Sequence, residues 1–317
     1  MNAQLREDAR RLEELAAQLE GAQGNHPRLR RLMEKIHKWP GGEWRDEHER
    51  IDQDVWNRRI GPTLLRFSKP GYDPRTRALA LSELESSNDV PEVVAEEVNA
   101  LWDPDARVRA AAAGAIGCLG VHSAKVLNRL VELLQDAHKK VSFEAEMSLS
   151  WMAPRKAVVR RKVLSVLRGP LFKRRRGLWN LIFAAEDGFG DRPAEEQQEL
   201  AEALVSVLMR LPDNRAYACW IAGDTLGDHI GGEIGFEALI RALKSPYACG
   251  RMSAIHGLTH AENPKAIPFL QEIARTDRSA KARDYARDTI AYLNGERAQM
   301  PNANFWRRPR GCVSLSI

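Results

Sequence analysis

The sequence has few of the features that cross-link a chain or anchor it in a membrane. Its 317 residues include four cysteines, Cys118, Cys219, Cys249 and Cys312, and no two of them form a CxxC pair. This spacing argues against a zinc knuckle and against a disulfide framework. No apolar run approaches the ~18 residues of a transmembrane helix, and residues 1–20 carry charges where a signal peptide needs an apolar stretch. We therefore expect a cytoplasmic protein whose core is built from apolar side chains.

Common catalytic signatures are also missing from the sequence. There is no nucleophile elbow, P-loop or HExxH motif, and the glycines of GDHIGGEIG (residues 227–235) follow a predicted helix where a dinucleotide site needs a strand. Short alternating patterns typical of strands are absent as well. The first interpretation therefore predicts no cofactor, no resident metal and no catalytic residue.

A helical pattern repeats about every 32 residues through most of the chain. The pattern is marked by an alanine at Ala80, Ala112, Ala145, Ala222, Ala254 and Ala286, followed four residues later by Leu84, Ile116, Leu149, Leu226, Leu258 and Ile290. An arginine stands three residues before four of these alanines, at Arg77, Arg109, Arg251 and Arg283. The long gap between Ala145 and Ala222 predicts one further repeat near residues 177–210, with an insertion at 186–198. Because a single helix pair cannot bury its apolar face, neighbouring pairs must stack.

The stretch VRAAAAGAIGCLG (residues 108–120), with the LLQD that ends at Asp136, resembles the HEAT-repeat family, and the resemblance extends over about residues 73–293. It implies an all-α fold, a right-handed α-solenoid of about six to seven helical hairpins. We expect a helical N-terminal cap over residues 1–70, the repeats over 71–296, and a flexible tail over 297–317. Solenoids of this family serve many tasks, so the resemblance is specific for fold alone.

Charge is distributed unevenly along the chain. Residues 78–106 contain eight acids and no Lys or Arg, whereas residues 155–177 contain ten bases and no acid. The candidate polyanion-binding residues of this basic block are Arg160, Arg161, Lys162, Lys173, Arg174, Arg175 and Arg176. Such a block could neutralise nucleic-acid phosphates. It could equally meet an acidic protein surface, including residues 186–202 of this chain, or simply face solvent.

Helical geometry places a set of polar side chains on the inner helices of the last repeats. At ~100° per residue, positions opposite the buried anchors face the predicted concave groove. The candidate groove-binding residues are Trp220, Asp224, Asp228, His256, His260, Asp284 and Asp288, with Tyr292 beside them. Asp224, His256 and Asp288 are expected to form one row. The first interpretation is a non-catalytic scaffold that binds a protein or peptide partner in this groove.

Two alternatives remain for the same residues. His256 and His260 are four residues apart on one helix, so they could hold a metal ion together with flanking carboxylates. Residues 219–232 resemble, in addition, a segment of AlkD-type DNA glycosylases, which are HEAT-like. That resemblance implies that Trp220 contacts a nucleotide, that Asp224 stabilises positive charge as an alkylated base leaves, and that Arg251 lies in the DNA channel.

Overall fold

The computed structural model describes residues 3–22, 26–37, 56–84, 90–170, 179–186, 192–213, 216–230 and 232–301. Within these ranges the chain is helical and contains no strand. It divides into two compact units, residues 1–151 and 152–317. This boundary lies well beyond residue 70, where the sequence suggested a change from cap to repeats. None of the described helices is both long and apolar enough to cross a bilayer.

The first unit contains eight of the described α-helices. They are α1 (Ala3–Gly21), α2 (His26–His37), α3 (Gly61–Ser68), α4 (Pro74–Leu84), α5 (Pro91–Ala100), α6 (Ala106–Leu119), α7 (Ala124–Leu133) and α8 (Lys139–Met152), with a π-helical turn at Trp56–Ile60. Side chains of α1, α2 and α3, among them Leu19, Met33 and Phe67, share one apolar core with Ala80 and Leu84 of α4. The segment predicted as a cap therefore packs directly on the first repeat.

The second unit contains the remaining described helices. They are α9 (Ala157–Arg168), α10 (Trp179–Glu186), α11 (Ala194–Arg210), α12 (Ala216–Asp224), a π-helix (Thr225–Ile230), α13 (Gly232–Ala242), α14 (Ala248–His260), a 3₁₀ turn (Pro264–Ala266), α15 (Ile267–Thr276) and α16 (Ala280–Leu293). Helix α14 packs against α12 on one side and α16 on the other. The extra repeat predicted near residues 177–210 corresponds to α10 and α11.

The repeated alanines occupy equivalent places in six helices. All six lie on helices α4, α6, α8, α12, α14 and α16 or at their core, and each is completely buried. The aliphatic residues four positions later are also fully buried, except the half-buried Ile290. A small side chain at this position lets neighbouring helices approach, while the larger residue one turn later fills the space between them. The sequence prediction of stacked helical repeats is confirmed.

A repeated ion pair joins consecutive helical repeats. Arg77 pairs with Asp103 at 2.5 Å, Arg109 with Asp136 at 2.9 Å, and Arg251 with Asp277 at 2.6 Å. We call these three the joint ion pairs, since each links the start of one inner helix to the turn that precedes the next. All three aspartates also accept a backbone N–H from two residues further on, from Asp105, His138 and Ser279. One carboxylate thus shapes the turn and binds the preceding repeat.

Candidate functional site

Three glycines bring α12, its π-helical extension and α14 into backbone contact. A methyl group on Gly223 would overlap the carbonyl of Ser253, and one on Gly227 would overlap the carbonyl of Gly257. Gly257 has the same relation to the carbonyl of Gly223. Because no side chain separates the two helices here, the polar residues beside these glycines are held within hydrogen-bonding distance of each other.

His256 lies at the centre of the resulting polar cluster. The indole N–H of Trp220 donates to His256 Nε2 at 2.8 Å. His256 Nδ1 lies 3.0 Å from the hydroxyl of Tyr285, which comes from α16. Asp224 Oδ1 lies 3.1 Å from the same Nε2. His256 is 5% exposed, so these three side chains replace water around its ring.

The indole donor fixes the tautomer of His256. A tryptophan N–H can only donate, so Nε2 carries a lone pair and the ring proton of the neutral form is on Nδ1, facing Tyr285. Burial raises the pKa of Tyr285, a hydrogen bond with Thr259 opposes this, and the charges of Asp224 and Asp288 raise it further. The Tyr285 hydroxyl therefore remains neutral at physiological pH.

A second histidine–carboxylate pair lies beside the first. His260 Nδ1 is 2.9 Å and 3.1 Å from the two carboxylate oxygens of Asp228, across the contact between α14 and the π-helix. The rings of His256 and His260 are in edge contact, with centroids 4.4 Å apart. Asp228 and His260 also line an open cavity of about 360 Å³, together with Gly227, Gly232, Glu233, Ala261 and Asn263. The cluster therefore opens to solvent on the His260 side.

The remaining predicted groove residues lie on α16 and are more exposed. Asp284 forms an ion pair with Arg287, and Asp288 forms one with Arg297. Tyr292 donates to Glu262, so it is not part of the Asp228–His260 pair. The structure therefore brings Trp220, Asp224 and His256 together, with Asp288 close enough to influence Tyr285, but it leaves Asp284 at the periphery.

Burial on α14 differs from the sequence expectation. His256 was expected to face an open groove, yet residues 251–259 are all buried, including Met252. The glycines allow α12 to approach so closely that Trp220 covers His256 from one side, while Tyr285 covers it from the other. Only the end of α14, at the partly exposed His260, reaches the surface.

Arg251 is placed away from the position that the glycosylase resemblance implied. Its guanidinium is buried, pairs with both carboxylate oxygens of Asp277, and donates to the carbonyl of Ser245. With its donors used inside the protein, Arg251 is not available in a DNA channel. The sequence already held the signal for this role, because Arg251 belongs to the series of repeated arginines with Arg77 and Arg109.

The basic block is only partly a free cationic surface. Arg160 is buried and pairs with Glu196 at 3.0 Å, and Arg168 donates to the backbone carbonyl of Glu199. Arg160 is thus a correction to the predicted polyanion set, because an acidic segment of the chain already binds it. Arg161 is exposed and Lys162 half-buried, while the predicted residues Lys173, Arg174, Arg175 and Arg176 lie outside the described residues.

Sequence reasoning missed Tyr285 as a partner of His256 and missed the close helix contact. The contact had a visible signal, since Gly223 and Gly227 are four residues apart and recur at the spacing of Ser253 and Gly257. Cys219 and Cys249 are another consequence of the same contact, with their sulfurs 3.2 Å apart as buried free thiols. The hydrogen bond between them, together with burial, raises the pKa of Cys219 well above its usual value.

Comparison with known proteins identifies the repeats. Residues 62–168 match the family model described as HEAT repeats, and the chain is a HEAT-repeat protein over this range. Among solved structures, two engineered proteins from a structural genomics programme are similar at 18% and 16% identity. They cover 74% and 89% of this chain and 97% and 88% of their own, with TM-scores of 0.29 and 0.37.

Human deoxyhypusine hydroxylase in complex with glycerol is similar at 15% identity, over 91% of this chain and 97% of the hydroxylase, with a TM-score of 0.32. No curated protein matches the chain.

Proposed function

We propose that the acidic surface of the second unit binds a basic segment of a partner protein, and that this chain acts as a non-catalytic adaptor. The acidic surface is defined by Asp224, Asp228, Glu233, Glu262, Asp284 and Asp288. The observation that supports it best is the cavity at the end of α14, where Asp228 and Glu233 face an open space beside His260.

Charge on this surface favours a cationic ligand. Asp228, Glu233 and Glu262 are exposed, and Asp284 and Asp288 remain 68% and 55% exposed at their side chains although each has an arginine nearby. Arg251, the cation that a nucleic-acid channel would use here, is buried against Asp277. A polyanion approaching Asp224 would therefore meet like charge, whereas a Lys- or Arg-rich segment meets opposite charge.

The test is a binding measurement with three labelled probes of similar length. Fluorescence anisotropy would compare a Lys/Arg-rich peptide, an acidic peptide and a short duplex DNA over a salt series. We expect the basic peptide to bind in a way that salt weakens, and we expect the double variant Asp228→Asn/Glu233→Gln to bind it several-fold less tightly. Glu92→Gln, an exposed acid of the first unit, is the matched control and should bind as the unaltered protein does.

The DNA probe separates this proposal from its alternative. Duplex binding at low salt that is lost in Asp224→Asn, with release of an alkylated base, would favour a DNA glycosylase and overturn the adaptor proposal. Duplex binding that instead depends on residues 173–176 would assign nucleic acid to the basic block. Failure of the basic peptide to bind at any salt concentration would also reject the proposal.

A further inference from the structure

The second unit contains a group of side chains with the composition of a transition-metal site. Asp224, His256 and His260 each offer one ligand atom, and these atoms all lie within 4.8 Å of one another. The three residues come from two helices held in backbone contact by Gly223, Gly227 and Gly257. Their positions are therefore fixed by rigid elements, which is the condition for a precise site.

The partners of both histidines leave the same ring nitrogen available. His260 directs Nδ1 at both oxygens of Asp228, and His256 directs Nδ1 at the Tyr285 hydroxyl. In a neutral imidazole, a proton on Nδ1 leaves the lone pair on Nε2. Metal-binding histidines are typically held in this way, with the second nitrogen donating to a carboxylate or another oxygen.

The hydrogen bonding around His256 Nε2 is incomplete without a cation. Asp224 Oδ1 and the Nε2 lone pair are 3.1 Å apart, and both are acceptors while Trp220 donates to Nε2. A positive ion placed between the carboxylate, His256 and His260 would satisfy both acceptors. The indole of Trp220 would then lose its acceptor, so the environment of this tryptophan reports on the ion.

We propose that Asp224, His256 and His260 bind one Zn²⁺ ion, with Asp228 and Tyr285 as positioning residues. Two imidazoles and one carboxylate suit zinc and leave a fourth position open. That position faces the cavity lined by His260, Asp228 and Glu233. Ligand atoms of a tetrahedral zinc site lie roughly 3.3 Å apart, given zinc–ligand bonds of ~2.0 Å. A small rotation of the half-exposed His260 side chain would bring the three ligands to that spacing.

This inference does not depend on the proposed binding of a basic peptide. Zinc binding is measured on the protein alone, and peptide binding can be measured in the presence of a chelator, so either can fail while the other holds. If both hold, zinc should weaken peptide binding, because the ion neutralises part of the acidic surface.

The test is a calorimetric titration of the untagged, chelator-treated full chain with ZnCl₂, with MgCl₂ as the comparison. We expect one equivalent of Zn²⁺ to bind and Mg²⁺ not to saturate the site. His260→Ala should weaken zinc binding at least about tenfold, and Asp228→Asn about tenfold through the loss of its hold on His260. His260 is preferred to the buried His256 for this purpose because its loss leaves the helix core intact.

Two further variants guard against a nonspecific result. His138→Ala removes an exposed histidine of the first unit and should leave zinc binding unchanged. Trp220→Phe should bind zinc at least as tightly, because the competing indole donor is gone, and should lose most of the zinc-dependent change in tryptophan fluorescence. Absence of saturable binding, equal affinity in His260→Ala and the unaltered protein, or an equal loss in His138→Ala would each overturn the proposal.

Discussion

At the scale of single residues, glycine and histidine determine what this part of the protein can do. The polar cluster exists because Gly227 and Gly257 have no side chains to separate two helices. The sequence indicated which polar residues share a face of each helix, and it placed Asp224 next to His256 correctly. It could not show that His256 would be covered by Trp220 and Tyr285, because the depth of burial depends on how closely the neighbouring helices approach.

Replacing Gly227 with alanine should destabilise the second unit. The added methyl group would overlap the Gly257 carbonyl, and such overpacking costs about 1–3 kcal/mol. The gain in helix propensity, about 1 kcal/mol, offsets only part of this. Urea unfolding followed by circular dichroism would measure the change. Gly21→Ala, at a helical position with open space around it, is the control and should be neutral or slightly stabilising.

At the scale of helices, the joint ion pairs connect each repeat to the next. The recurrence of Arg77, Arg109 and Arg251 was visible in the sequence, and so were the aspartates at the joints. Their pairing across about 26 residues was not predicted, because a repeat pattern shows which positions are equivalent and does not show which side chains meet. Asp277 is the most buried carboxylate of the three pairs, at 2% side-chain exposure.

Arg251→Met should therefore be strongly destabilising. Removing one partner of a buried pair leaves the other charge uncompensated, which costs about 3–5 kcal/mol. The double variant Arg251→Met/Asp277→Leu removes both charges and should recover much of the loss. Equal stability of the single and double variants in chemical denaturation would contradict this account of the pair.

Acid should weaken the joints. Burial raises the pKa of Asp277, but hydrogen bonds from Arg251 and from the Ser279 amide outweigh it, so the pKa is below its ordinary value of 3.8. A carboxylate with a lowered pKa stabilises the folded protein above the unfolded-state pKa, and this stabilisation is lost as pH falls through the folded-state value. The free energy of unfolding should thus decrease below about pH 4, and less steeply in Asp277→Asn.

At the scale of the whole molecule, the repeat period was enough to predict an all-helical fold of stacked pairs. It worked because each unit has the same small and large apolar residues one turn apart, as in Ala112 and Ile116. It failed to place the internal boundary, because the helices of residues 3–68 share a core with the first repeat and so show no break in packing at residue 70. The partner is not encoded in any period, since binding depends on side chains that differ from repeat to repeat.

Damage to one repeat should remain local. In repeat proteins each unit contacts mainly its neighbours, so stability is approximately a sum of local terms. Hydrogen exchange measured by mass spectrometry should show faster exchange of α12, α14 and α16 in Arg251→Met, with α4 to α6 unchanged. A uniform increase over both units would indicate instead that the chain unfolds as a single cooperative block.

The joint ion pairs also bear on how such a chain can change its length. Arg77 and Arg109 are 32 residues apart and pair with Asp103 and Asp136 respectively. Excision of residues 78–109 would leave Arg77 followed, 27 positions later, by the aspartate that Arg109 now uses. The new junction would have the same donor and acceptor at the same separation as the old one. Loss or duplication of a whole repeat therefore creates no unmatched buried charge, and a gene encoding this chain can be shortened or extended in steps of one repeat.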